Sequence, residues 1–213
     1  MSTFIEDFIE FTKDYESPDS FWKWGAFTAV GAVLRDNIYT LQKTSKICAN
    51  IYTLLLADSS FKRKGRPIHE VGNIVHKLEV TKVIRGRSSI QAIIEDLAMS
   101  ETHKKTGNKI AGGSCLLCAD ELSSFFVIDE KALIPLLTDI YDWREEWTSS
   151  LKSTGKFKVE NLCVSFFAAT NEELLQKVYT SEAVRGGLLA RTFLVKAEGL
   201  RKPNSWFGDI DLE

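Results

Sequence analysis

The sequence predicts an α/β fold, with a mostly parallel central sheet flanked by helices in three layers and preceded by a helical pair. Three observations carry this. Short apolar runs at Ile51–Ala57, within Ser114–Glu121 and within Leu162–Asn171 are bounded by polar residues, the pattern of strands buried on both faces. Segments with apolar residues at three- and four-residue spacing lie between them, the pattern of amphipathic helices. Each run also ends in polar residues, and parallel sheets bind their ligands where strands end.

The elements follow in order. Residues 3–15 make an amphipathic helix, with Phe4, Ile5, Phe8, Ile9 and Phe11 as its apolar stripe. Ser17-Pro18-Asp19 stops it and caps a second helix from Phe21 to Leu34, whose Trp22, Trp24, Phe27, Val30 and Val33 are core by composition. Ile38–Leu41 is a short strand and Lys43–Ala49 a connecting loop, followed by the central strand. Pro67 suits a helix's first turn, and Ile68, Val71, Ile74, Val75 and Leu78 form that helix's buried face. Lys82–Ile84 is a strand. Ser88 or Ser89 caps a helix carrying Ile90, Ile93, Ile94 and Leu97. Lys104–Asn108 is a hairpin tip, and Asp129–Tyr141 is a helix that contains Pro135. Trp143 and Trp147 are expected to pack, with stacking on a base or partner as the alternative. Phe157–Val159 and Leu162–Asn171 are strands, and Thr192–Ala197 is the last one. The organisation is thus a helical pair over 1–36, a core over 37–197 and a tail over 198–213.

Composition bounds the function. A chain of 213 residues, 44% hydrophobic and 26% charged, is expected to form one soluble domain. Its formal net charge of -2 excludes a global field for nucleic acid, so any such contact is a local basic patch, at Lys62–Arg66 or Lys82–Arg87. Cys115-Leu-Leu-Cys118 has zinc-knuckle spacing but lies in an apolar run without a second ligand pair. Buried reduced thiols, and with them a cytoplasmic location, are the expectation. No apolar run reaches the roughly 18 residues of a membrane span.

The stretch Asn50–Gly65 organises the rest. It runs from an apolar strand into a small, polar and basic loop and then a helix, which is the layout of a P-loop. Laid on G-x-x-x-x-G-K-[ST], the loop from Asp58 to Gly65 keeps only the lysine, Lys64. Asp58 and Arg63 replace the glycines, and Gly65 replaces the hydroxyl residue. Downstream, a strand ends in Asp120-Glu121, as a strand beside a P-loop strand does when one acid serves a metal and the next polarises water. Another ends in Thr170-Asn171, where an amide suits a γ-phosphate or a plain helix cap. Arg185 and Arg191 follow, either as surface residues or as cations for phosphates of the same or a neighbouring subunit.

In this order the motifs resemble the ATPase (helicase-like) domain of phage and plasmid primase-helicase and replication proteins. The matching residues are Asn50-Ile-Tyr52, Asp58-Ser59 with Arg63-Lys64, Asp120-Glu121 and the segment Gly187–Val195, and the resemblance runs from about Phe21 to Val195. It implies a RecA-like or AAA+-like P-loop core that binds ATP with Mg2+ and acts on single-stranded DNA, with other replication proteins, as a homo-oligomeric ring. Carried over by residue, Asp58, Ser59, Ser60, Arg63, Lys64 and Gly65 would surround the nucleotide, with Lys64 on the β- and γ-phosphates. Asp120 would serve the metal and Glu121 would be the base. Asn171 would sense the γ-phosphate, and Arg191, or else Arg185, would stabilise transition-state charge. Gly65 in the hydroxyl position leaves as the rival expectation a slow or inactive P-loop module, a replication accessory or protein-interaction factor that binds a nucleotide or only a partner protein, with a truncated gene product as a third.

Overall fold

A computed structural model describes residues 2–57, 63–86, 89–102, 107, 109–110, 112–122, 133–151, 155–178, 187–197, 199 and 201. The N-terminal pair is α1 (Phe4–Phe11) and α2 (Asp19–Leu34). A capping box opens α1. Thr3 Oγ1 accepts from the Glu6 amide at 3.3 Å, and the Thr3 amide donates to Glu6 Oε2 at 2.7 Å. The helix stops at Phe11 rather than reaching residue 15, and the Thr12 hydroxyl turns back to the Phe8 carbonyl at 2.9 Å.

β1 (Tyr39–Gln42) and β2 (Ser45–Cys48) form an antiparallel hairpin, so the loop expected at Lys43–Ala49 is mostly strand. Its turn is made by Lys43 at φ +57°, a conformation not signalled by its side chain. The remaining elements are β3 (Tyr52–Leu56), α3 (Gly65–Leu78), β4 (Lys82–Arg85), α4 (Ile90–Ala98), β5 (Glu101–Thr102), β6 (Lys109–Ile110) and β7 (Ser114–Ala119). They continue with α5 (helical over 133–139), β8 (Arg144–Leu151), β9 (Gly155–Thr170), α6 (Glu172–Val178) and β10 (Thr192–Lys196), which a 3-10 turn at Leu189–Arg191 precedes. β5 pairs with β6 around the tip expected at 104–108, most of which lies outside the described residues, as do residues 129–132 of the expected helix.

The main sheet runs β10-β3-β9-β7-β4, and every neighbouring pair in that path is parallel. Counted from β3 in chain order, this is 5-1-4-3-2, so β9 separates the lysine-loop strand from the Asp-Glu strand. The two strands expected at 157–159 and 162–171 are one strand, β9, in which Asn161 turns locally to φ +52°. Its first half pairs antiparallel with β8, the segment carrying Trp147.

Side chains alternate across the sheet because strand residues point to opposite faces. Tyr52, Leu54, Leu117, Phe166 and Ala168 meet α4 and α5 residues such as Ile93, Leu97 and Leu137 on one face. Leu55, Leu116, Phe167 and Ala169 meet Phe21, Trp22, Ile68 and Val71 of α2 and α3 on the other. Helices thus cover both faces of a mostly parallel sheet, as the three-layer expectation requires. Gly25 lets α2 approach closely, since a Cβ there would stand 2.9 Å from Val71 Cγ2 and 3.2 Å from the Phe167 ring. Trp22 is fully buried, whereas Phe27 and Leu78, expected in the core, are exposed. Among the described residues no helix is long and apolar enough to cross a membrane.

Candidate functional site

Because the five strands are parallel, their C-terminal tips share one rim, and α3 begins there. β3 ends at Leu56, in register with Thr170 of β9, and Ala168 of β9 is in register with Ala119 of β7. The Ala57 amide donates to the Thr170 carbonyl at 3.2 Å, and the Leu122 amide to the Ala169 carbonyl at 2.7 Å. These bonds tie the starts of the basic loop and of the Asp-Glu turn to the same strand.

Across β9 the two motifs meet. Lys64 Nζ lies 3.0 Å from Glu121 Oε2 and 3.5 Å from the Ala57 carbonyl. The lysine is 13% exposed and the glutamate 36%, so the pair sits at the wall of the rim rather than on open surface. Lys64 is the N-cap of α3 and Gly65 its first residue, two positions earlier than Pro67 suggests. Free amides of a helix's first turn favour an anion there, and no acidic residue occupies that turn. A Cβ on Gly65 would stand 3.8 Å from Asp120 Cβ and 4.0 Å from Asp120 Oδ1. Position 65 therefore faces Asp120, as a hydroxyl sharing a metal with it would have to.

Arg63 has φ +45°, a left-handed conformation at the place where the pattern has glycine. Its Nε lies 2.8 Å from Glu16 Oε2. Asn171 follows the tip of β9, half-buried, and its carbonyl accepts from Leu175 in the opening turn of α6. Lys64, Gly65, Asp120, Glu121 and Asn171 are thus gathered at one rim, with Arg63 at its border.

Arg191 is not among them. It precedes β10, whose first residue Thr192 is in register with Tyr52 at the start of β3. At about 3.3 Å per residue this puts it roughly 15 Å or more along the strands from the lysine loop. There Nη2 pairs with Asp142 Oδ2 at 3.2 Å, Nη1 donates to the Gly187 carbonyl at 3.2 Å, and the guanidinium lies 5.6 Å from the Tyr141 ring centroid. Asp58, Ser59, Ser60 and Arg185 lie outside the described residues.

A cleft of about 660 Å³ opens beside the rim, lined by Asp14–Ser17, Arg63, Gly65, Arg66, His69 and Asp120. A smaller one of about 230 Å³ lies on the other side of Asp120 and Glu121, against His69, Arg85 and Cys118. In the sequence the α1–α2 linker has only a helix-stop role, Arg85 only a place in the basic patch Lys82–Arg87, and His69 none. The linker's approach to the rim is a tertiary contact with no local pattern. Arg85 is the last residue of β4, and with the strand order known its place at the rim follows.

Cys115 and Cys118 are buried on adjacent turns of the pleat and join opposite faces of the sheet, which prevents joint chelation. Burial pushes the Cys118 thiol up to about 12 and Cys115 higher still, so both stay protonated. Among the described residues no three His, Cys, Asp or Glu side chains form a metal-holding group. Trp147 is buried and donates Nε1–H to Asp139 Oδ2 at 2.6 Å, a packing role. No protein-family model matches the chain, and no curated protein matches it.

Proposed function

We propose that this chain is a nucleoside-triphosphate-binding ATPase of the P-loop kind, with the altered loop Asp58–Gly65 as its phosphate site. The single observation that carries the proposal is the meeting of Lys64 with the Asp120-Glu121 tip across β9, in a 5-1-4-3-2 parallel sheet. Residues 56 positions apart in the chain need not share a rim. The order of strands brings these two together where nucleotides bind in such sheets.

The rim suits a polyphosphate. Lys64 stands at a helix N-terminus, Arg63 and Arg66 flank it, and the adjoining cleft has room for a nucleotide. It suits Mg2+ through one protein carboxylate, Asp120, because position 65 has no hydroxyl; magnesium commonly takes one or two carboxylates besides phosphates and water. Bound there, the metal would neutralise phosphate charge. Lys64 would hold phosphate oxygens in place of its present partner Glu121. Glu121, released, would accept a proton from water, and Asn171 would orient that water or the terminal phosphate. Action on DNA as a replication helicase-like ATPase, with single-stranded DNA and replication proteins as partners in a homo-oligomeric ring, extends this proposal through the motif resemblance alone.

The second reading is a nucleotide-binding accessory module with little turnover. It is favoured by Gly65, which removes the hydroxyl facing Asp120. Steady-state ATP hydrolysis with Mg2+, with and without single-stranded DNA, separates the two. The ATPase reading expects turnover that DNA stimulates and Glu121→Gln abolishes. Tight ATP binding with no turnover supports the accessory module, and no ATP binding overturns both.

A further inference from the structure

Arg63 holds a left-handed backbone, φ +45°, that residues with a Cβ adopt rarely and at a cost in strain. Such a conformation persists where its surroundings enforce it. Here the Arg63 carbonyl accepts a local bond from the Arg66 amide at 3.1 Å and a second bond from 46 residues away, where the hydroxyl of Ser17, itself fully buried, donates to it at 2.9 Å. Ser17 is anchored in turn, because its carbonyl accepts from Trp22 Nε1 at 3.2 Å and Trp22 is wholly within the core.

The two residues before Ser17 grip the same loop. Glu16 pairs with the Arg63 side chain at 2.8 Å. The Tyr15 hydroxyl accepts from Arg66 Nη2 at 3.2 Å, with the guanidinium 4.7 Å from the ring centroid. The other face of Tyr15 stacks on Trp22, with centroids 5.1 Å apart and planes at 25°. Three consecutive linker residues therefore hold the chain on both sides of Lys64.

We propose that the α1–α2 linker, through Ser17, is the positioning element of the lysine loop, doing by a tertiary hydrogen bond what glycine does locally in the standard pattern. Lys64 directly follows Arg63, so relaxation of Arg63 toward ordinary φ redirects Lys64 away from Glu121 and the rim. The affinity arm of the test rests on the nucleotide-binding proposal above; the protease arm does not.

The experiment is a double-mutant cycle. Ser17→Ala is made in the parent and in an Arg63→Gly background, where the left-handed conformation costs nothing. ATP affinity, thermal unfolding and the rate of tryptic cleavage after Lys64 are read for each protein. We expect Ser17→Ala to weaken ATP about fivefold in the parent, the scale of one hydrogen bond, and less than about twofold in the Arg63→Gly background. We also expect faster cleavage after Lys64 in the parent background. Ser17→Cys, which keeps the volume and weakens the bond, replaces Ser17→Ala if the latter does not fold. Equal losses in both backgrounds, or an unchanged cleavage rate, overturn the positioning role. If none of the proteins binds ATP, the nucleotide proposal fails and the cleavage rates alone decide this one.

Discussion

The two ends of the parallel sheet carry polar residues of similar kinds and use them differently. At the N-terminal end, Asn50 donates through Nδ2 to the carbonyls of Tyr141 at 2.8 Å and Val164 at 3.0 Å. Tyr52 donates its hydroxyl proton to the Leu137 carbonyl at 3.0 Å, and Arg191 is held by Asp142 and Gly187. These groups satisfy main-chain carbonyls and one carboxylate, which is how buried polar groups serve structure. At the C-terminal end, Lys64 pairs with Glu121, and Asp120 beside it lines both clefts. The contrast teaches that residue type does not mark the site. An asparagine and an arginine stand at both ends, and the strand direction decides which of them share a rim with Lys64 and Glu121.

Four substitutions sharpen this contrast, in descending size of effect. Glu121→Gln should lower ATP turnover about a hundredfold or more, as loss of a general base does, while leaving ATP affinity within about threefold. Single-turnover hydrolysis beside equilibrium binding measures both. Asn50→Ala should destabilise the fold by about 2 kcal/mol, since two part-buried carbonyls lose their donor, and leave ATP affinity unchanged. Urea unfolding gives the first quantity, and a loss of affinity would put Asn50 in the site. Gly65→Ser should raise Mg2+-dependent turnover severalfold, by roughly 1 kcal/mol of barrier, because the new Cβ would stand 3.8 Å from Asp120 Cβ with its hydroxyl able to reach the carboxylate. Unchanged turnover would mean that position 65 is no metal position. Arg191→Ala should change the ATP affinity of the monomer by less than about twofold, since its partners are at the far end of the strands.

The comparison also marks what a reader of the chain alone obtains. The strands β3, β7 and the second half of β9 were legible because burial on both faces leaves unbroken apolar runs. Asp120-Glu121 and Asn171 were legible as strand ends and Lys64 as the start of a helix after a strand, and the parallel strand order brings them to one rim. Of the hairpin, β1 was legible as the strand at Ile38–Leu41, but β2 was not, because its residues are half exposed and the turn before it rests on a left-handed lysine. The unity of β9 was hidden by Lys158, Glu160 and Asn161, polar residues on a strand segment that pairs with β8 beyond the core. Arg191 lies at the end of the strands away from Lys64, which sequence proximity to a strand does not tell. The Ser17 contact is a tertiary bond over 46 residues, with no periodicity to betray it.

A lysine with acid partners is not in itself a site, as Lys82 demonstrates. It is only 8% exposed and is satisfied by the Asp96 carbonyl at 2.9 Å and Glu101 at 3.1 Å, near the start of β4 and far from the rim. Lys64 differs in standing at the opening of α3, beside a cleft. The most direct measurement is therefore the equilibrium affinity for a fluorescent ATP analogue of the parent, Lys64→Ala and Lys82→Ala, each compared at equal folded fraction. The proposed nucleotide site predicts a loss of tenfold or more, about 1.4 kcal/mol, for Lys64→Ala and none for Lys82→Ala. Equal affinities in the parent and Lys64→Ala would contradict it.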